Sequence, residues 1–114
     1  SISHDSHNII VVGTNSADMA FAANRIVENH GGIVVAENGA VKGELVLELA
    51  GIMSDSPLVE VNEKLEAAKA AAHTLGVGHG IDPFMTLSFM ALPVIPTLRI
   101  TTRGIIDVVT QQYI

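Results

Sequence analysis

The sequence predicts an α/β (α+β) fold in which two main helices pack on a mixed β-sheet, with residues 1–114 forming a single compact domain. Three observations predict it: an apolar run near the start, two stretches with helical spacing, and an Asn-Gly pair between apolar runs. A chain of 114 residues is long enough for one hydrophobic core and leaves no room for a second.

The first predicted unit is a strand followed by a helix. Residues 9–12 form an uninterrupted apolar run that Gly13 closes, which is typical of a strand buried on both faces. Asn15 or Ser16 is suited to cap the following helix, and Gly31-Gly32 is suited to end it. The turn at Gly13 lacks the spacing of a nucleotide phosphate loop, so we expect a plain βα turn. A parallel strand after this helix would give a right-handed crossover.

A β-hairpin is predicted next. Asn38-Gly39 separates residues 32–37 from residues 40–49, and Asn-Gly favours the tight turn in which both central residues have positive φ. The second of these strands partly alternates between apolar and polar residues. We therefore expect Glu44 and Glu48 to face solvent rather than to take part in chemistry.

The second predicted helix is the longest element. Ser56 is suited to be its N-cap, Pro57 its first residue, and Gly76 its end. Six apolar residues recur along one face at helical spacing: Leu58, Val61, Leu65, Ala68, Ala72 and Leu75. Residues 97–101 and 105–109 predict two short final strands.

Composition excludes several classes of function. The chain has 12 acidic and 6 basic residues, a net charge of −6, and no cluster of Lys or Arg, which argues against nucleic acid or an anionic membrane as partner. It has no cysteine, so disulfides, thiolate catalysis and Cys-ligated zinc are excluded. The apolar runs are too short to span a bilayer, and we expect a cytoplasmic protein. Because 48% of the residues are hydrophobic, we also expect an apolar face that docks to a partner.

The densest polar cluster is His4-Asp5-Ser6-His7-Asn8, just before the apolar run. Imidazole and carboxylate groups are metal ligands, but two or three of them near a chain terminus occur easily by chance. A hydrogen-bond network that fixes the backbone and direct contact with a substrate both stay open. A Ser-His-Asp nucleophile is disfavoured because one pentapeptide cannot easily align the three groups. The chain starts with serine and enters this cluster at once, so we expect a piece of a longer protein.

Residues 84–96 form a second unusual segment. It carries two of the three phenylalanines and two of the four methionines. Asp82-Pro83 before it is expected to start a turn, and Pro93 and Pro96 prevent a long helix at its end. The segment fits either a core element, as a strand or short helix, or a docking surface.

Several motifs, in this order, resemble one family. They are SxxHDSHNI at 1–9, GGIVV at 31–35, GIMS at 51–54, DPFMTLSF at 82–89 and ALPVIP at 91–96. Together they resemble the C-terminal domain of adenine deaminases, which belong to the amidohydrolase superfamily. The family's metal-binding barrel, with its His-x-His motif, has no counterpart in these residues.

The resemblance implies a longer hydrolase that converts adenine to hypoxanthine and ammonia in purine salvage. It implies a dinuclear centre of manganese or iron in the barrel, and no catalytic residue, metal ligand or cofactor within residues 1–114. The barrel domain, adenine and further copies in a homo-oligomer are the implied partners. A fragment of this extent is expected to be inactive by itself.

Two hypotheses about the role of the domain follow. In the first, the opening cluster reaches across the domain boundary to contact substrate or to support the metal ligands; its members are His4, Asp5, Ser6, His7 and Asn8. In the second, the domain is a non-catalytic structural or oligomer-forming module that docks through residues 84–96.

Overall fold

The computed structural model describes all residues from 1 to 114 and contains three helices and two small antiparallel sheets. The elements in order are α1 (Ser16–Glu28), β1 (Gly32–Glu37), β2 (Ala40–Val46), α2 (Leu58–Thr74), α3 (Pro83–Phe89), β3 (Leu98–Thr101), β4 (Gly104–Asp107) and β5 (Gln112–Tyr113). Strands β1 and β2 form one sheet, and β3, β4 and β5 form the other. The predicted class, a compact domain of mixed helix and strand, is confirmed. None of the three helices has the length and apolar character needed to cross a membrane.

The strand predicted at residues 9–12 is absent, and this is the main correction to the predicted topology. The chain runs from residue 7 to residue 13 without a turn, bend or helix, but no strand pairs with it. Ile9 is 44% exposed and Val12 is 76% exposed, whereas burial on both faces was expected. A run of β-branched residues favours an extended backbone, but a β-strand also needs a second strand with which to form hydrogen bonds. There is consequently no parallel βαβ unit, and the two sheets are separate.

The predicted β1–β2 hairpin is confirmed. Gly32 pairs with Val46 and Glu37 with Ala40, and the φ angles of Asn38 and Gly39 are 53° and 70°. These positive φ values are what the Asn-Gly turn requires. The turn is also held by α1, which no local pattern indicates: carboxylate oxygens of Asp18 accept hydrogen bonds from the amides of Asn38 (3.0 Å) and Gly39 (2.8 Å).

The start of α1 agrees with prediction, whereas its end at Glu28 lies before the predicted Gly31-Gly32 and the start of α2 differs. The side chain of Asn15 accepts a hydrogen bond of 2.8 Å from the Asp18 amide and so caps α1. Helix α2 begins one residue later than predicted, at Leu58, and has no side-chain cap. Ser56 lies too early to reach the first-turn amides; instead its own amide donates to the Ser54 hydroxyl at 3.2 Å.

Most of the core lies where α1 and α2 pack on the β1–β2 hairpin, with a smaller buried group after α3 and at β4. Only 15 of the 114 residues are buried, so much of the apolar content lies at the surface. Of the predicted α2 stripe, Ala68 and Ala72 are buried, whereas Leu58 is 82% exposed. The backbones of α2 and β2 approach so closely that a Cβ atom added to Gly43 would lie 2.8 Å from the Cα atom of Ala68.

Glu44 joins α1 to β2 and does not simply face solvent as predicted. Its carboxylate accepts hydrogen bonds from Arg25 Nε (2.7 Å), Arg25 Nη2 (3.2 Å) and Asn29 Nδ2 (2.7 Å). The hydrogen bonds from Arg25 lower the pKa of the Glu44 carboxyl, and the bond from Asn29 lowers it further. The sequence placed Glu44 on the polar side of a strand but could not show which helix covers that side.

Candidate opening-turn site

The opening cluster forms a compact turn, and we call residues 3–8 the opening turn. The amides of Ser6 and His7 donate to the Ser3 carbonyl at 3.0 and 3.2 Å. The Ser6 hydroxyl donates to the same carbonyl at 3.0 Å and to Asn8 Oδ1 at 3.4 Å. Ser3, the first residue of the turn, is fully buried, and its hydroxyl has no hydrogen-bond partner. Ser6 and Asn8 therefore belong to the local network that the sequence favoured as one alternative.

Two histidines of the opening turn have left-handed backbone conformations. The φ angles are 44° at His4 and 46° at His7. A residue other than glycine in this region costs on the order of 1–3 kcal/mol, and such residues concentrate at active sites and ligand-binding segments. The turn thus places two imidazoles on a strained backbone, which is a local feature that the residue types alone did not reveal.

His4 connects the opening turn to α3. Its Nδ1 atom lies 3.2 Å from Asp5 Oδ1, and its ring centroid lies 5.1 Å from that of Phe89 with the planes tilted by 41°. The two segments that sequence analysis singled out, residues 4–8 and residues 84–96, are therefore neighbours. With Nδ1 directed to the carboxylate, Nε2 of His4 is free for a group from elsewhere.

His7 differs from His4 in its surroundings. Its side chain is exposed and makes no hydrogen bond or ion pair with any other residue of the chain. The structure thus joins His4 to Asp5 and Ser6 to Asn8, but it does not bring His7 into contact with these side chains. An exposed imidazole held on a hydrogen-bonded turn is available to a substrate or to another domain.

Helix α3 is fixed at its start by Asp82, where the sequence predicted a turn. One carboxylate oxygen of Asp82 accepts hydrogen bonds from the amides of Phe84 (3.1 Å) and Met85 (2.9 Å), and the other lies 3.0 Å from Lys69 Nζ. Pro83 is the first helical residue, a position where its missing N–H costs nothing. The hydrogen bond from the Met85 amide is the largest cause that lowers the pKa of Asp82, and the Lys69 ammonium adds to it.

Residues 84–96 are part core and part surface. Ser88, Ala91 and Leu92 are buried, whereas Met85 is 55% exposed and Val94 is 71% exposed. The two predicted alternatives therefore apply to different residues of the same segment. Phe89, which contacts His4, is the residue of this segment that lies against the opening turn.

The opening turn does not fit a resident metal ion. No group of three or more His, Cys, Asp or Glu side chains lies close enough to hold one, and His4 and Asp5 form only a pair. Two surface depressions of about 240 and 300 Å³ lie elsewhere, and no residue of the opening turn lines either. The turn can therefore offer hydrogen bonds and an imidazole.

Comparison with known proteins identifies the family. The sequence profile described as "Adenine deaminase C-terminal domain" matches residues 1–112. The chain belongs to this family. Its relatives include proteins named adenine deaminase from Methylobacterium sp. (50% identity over 108 residues), Bacillus licheniformis (48% over 107 residues) and Gluconobacter oxydans (48% over 114 residues).

The adenine deaminase C-terminal domain is a small part of these relatives. The three matches cover 95%, 94% and 100% of this chain but 19%, 19% and 20% of the respective relatives. The chain thus spans about a fifth of the length of the curated relatives it matches. The resemblance seen in the sequence motifs is confirmed. The roles of the opening-turn residues stay predictions.

Proposed function

We propose that this domain serves a cytoplasmic adenine deaminase of purine salvage, and that its opening turn completes a site formed mainly by the rest of the polypeptide. The reaction is hydrolysis of the exocyclic C–N bond of a cyclic amidine, which releases ammonia and leaves hypoxanthine. Two observations support this proposal: the relatives are named adenine deaminase, and this chain matches only about a fifth of their length. The divalent metals, manganese or iron, would activate water, and we place them outside residues 1–114.

The observation that carries the proposal is the arrangement of the two histidines on the opening turn. The Asp5 carboxylate lies beside Nδ1 of His4, and Phe89 lies beside the His4 ring. The left-handed backbone at His4 and His7 sets the direction in which each side chain leaves the turn. Purine ring nitrogens and amino groups are recognised by directional hydrogen bonds, which an oriented imidazole can give or accept. We assign His4 and His7 to such contacts, with Asp5 as the residue that positions His4.

Alanine substitution in full-length adenine deaminase tests this assignment. His7→Ala and Asp5→Ala should each lower kcat/KM at least about tenfold, with the metal content and the melting temperature unchanged. His79→Ala is the matched control, because His79 is an exposed loop histidine that stacks on His73 far along the sequence from the opening turn. Normal turnover by both opening-turn variants, with unchanged metal content, would refute the assignment.

The 114-residue chain itself should not deaminate adenine. Since its residues form no cluster able to hold a metal ion, an assay with added manganese should show no turnover, beside a full-length enzyme that is active under the same conditions. A normal rate of adenine conversion by the short chain, or two bound metal ions per chain, would contradict the proposal.

Docking through residues 84–96 is the second candidate function. The exposure of Met85 and Val94 favours it, because apolar side chains at the edge of a core segment gain most from being covered. Val94→Ser in the full-length enzyme should then lower thermal stability or change the oligomer size, with little effect on kcat. Thr86→Ala, at another exposed position of the segment, is the control. If Val94→Ser instead changes kcat alone, docking is not its role.

A further inference from the structure

Residues 8–13 have a strand-like backbone without a partner. The segment runs without a turn or bend, and none of its amides or carbonyls takes part in the 61 backbone hydrogen bonds of the chain. The only hydrogen bond within it is the one that the Asn8 side chain accepts from Ser6. In native structures, main-chain N–H and C=O groups that are shielded from water are nearly always hydrogen-bonded.

The side chains of this segment are suited to a covered strand. Residues 9–12 are all β-branched and uncharged, and none of them is buried. Val12 is 76% exposed and Ile9 is 44% exposed. An exposed, apolar and unpaired strand invites aggregation, and natural proteins normally pair or cover such an edge.

No strand of this chain is the partner. Strand β1 pairs only with β2, and β4 pairs with β3 and β5. About four fifths of the length of the relatives lies outside the region matched by this chain, so the full-length enzyme has ample further structure to supply an edge. The opening turn, which we propose to meet that further structure, leads directly into residues 8–13.

We propose that residues 8–13 add as a strand to a sheet edge in the part of the full-length polypeptide that lies outside residues 1–114. This inference rests on the proposed function, because it takes the domain boundary to pass beside the opening turn. Strand addition gives affinity through main-chain hydrogen bonds, and the register decides which way each side chain points. Pairing of residues 8–13 would therefore fix the position of His7, the residue directly before them.

Hydrogen exchange of full-length adenine deaminase, measured amide by amide, tests the pairing. In the proposed strand, protected amides among residues 9–12 should exchange about 100-fold slower than in an unstructured peptide. Only alternate amides of an added edge strand face its partner, so either Ile9 and Val11 or Ile10 and Val12 should be the protected pair. Proline at the protected central position, Val11→Pro or Ile10→Pro, removes that N–H and should speed exchange at the other protected amide while lowering the melting temperature. Threonine at the same position is the matched control, since it keeps both the β-branched shape and the N–H and should leave protection in place. Unprotected exchange throughout residues 9–12 of the wild-type enzyme would overturn the proposal.

A photo-crosslinker identifies the partner. Val12→p-benzoylphenylalanine in the full-length enzyme should cross-link, on illumination, to a peptide of the same polypeptide outside residues 1–114. A cross-link to a peptide within residues 1–114, or a covalent dimer that shows a second copy as partner, would overturn the proposed occupant. Neither readout depends on turnover. Strand pairing can thus fail while the alanine variants of the opening turn still lose activity, and the reverse result is equally visible.

Discussion

Gly43 is the position where the packing of α2 on β2 can be tested most directly. A Cβ atom added there would lie 2.8 Å from Ala68 Cα, 3.2 Å from Ala71 Cβ and 3.4 Å from Ala68 Cβ. The nearest obstacle is helix backbone, which cannot rotate away as a side chain can. Gly43→Ala should therefore push the helix and the strand apart and lower the free energy of unfolding.

The magnitude follows from the distances. Non-bonded carbons pack best at about 3.5–4.0 Å, so α2 would have to move by roughly 0.7–1.2 Å to accept the methyl group. Overpacking of this kind costs about 1–3 kcal/mol, and we take about 2 kcal/mol. The matched control is Gly78→Ala, where the added Cβ meets nothing within 4 Å and φ is not positive. Both variants gain about 0.4–1 kcal/mol from a less flexible unfolded chain, so this gain cancels between them.

Thermal unfolding of the 114-residue chain, followed by circular dichroism, measures the difference. At about 4 °C per kcal/mol for a domain of this size, Gly43→Ala should melt about 8 °C below Gly78→Ala. Urea unfolding should give the same order, with unchanged dependence of the free energy on urea concentration. Melting temperatures within about 2 °C of each other would refute the claim that the α2–β2 contact requires glycine.

Two further predictions concern charged groups that hold elements together. Because the hydrogen bonds from Arg25 lower the folded-state pKa of Glu44, its stabilising effect should be complete above the ordinary value of 4.5 and be lost as the pH falls through the lowered pKa. The stability advantage of wild type over Glu44→Gln, measured as melting temperature, should accordingly shrink below that pH; an advantage that stays constant down to pH 3 would contradict it. Asp82→Ala, which removes the cap of α3, should lower the free energy of unfolding by about 1 kcal/mol, while Asp82→Asn, which keeps a capping oxygen but loses the charge facing Lys69, should lose less. Equal losses in urea titrations of the two variants would show that the ion pair, rather than the cap, holds α3.

Local patterns in the sequence predicted most elements of the fold. Helix α1 with its Asn15 cap, the Asn38-Gly39 turn and the long helix α2 follow from short-range rules, because capping and turn geometry depend on adjacent residues. The prediction of a strand at residues 9–12 was wrong, because apolar β-branched residues favour an extended backbone but do not supply the neighbouring strand with which to pair. Glu44 was misjudged for a similar reason, since its partner Arg25 lies 19 residues away in sequence.

The sequence indicated where the candidate site lies but not its geometry. The density of polar residues at 4–8 pointed to the opening turn, yet the left-handed φ angles at His4 and His7 depend on how the Ser3 carbonyl organises the turn. The contact between His4 and Phe89 joins positions 85 residues apart in the chain, and no local pattern encodes it. The link between the two segments is therefore known only from the three-dimensional structure.

The two hydrogen bonds from the Asn38-Gly39 turn to Asp18 have a consequence for how this half of the domain opens. Asp18 stands in the first turn of α1, and its carboxylate accepts a hydrogen bond from the capping residue Asn15 as well as the two from the tip of the hairpin. Fraying of the first turn of α1 carries Asp18 away and so releases the hairpin tip as well. Opening of the start of α1 should therefore be accompanied by faster hydrogen exchange at the Asn38 and Gly39 amides.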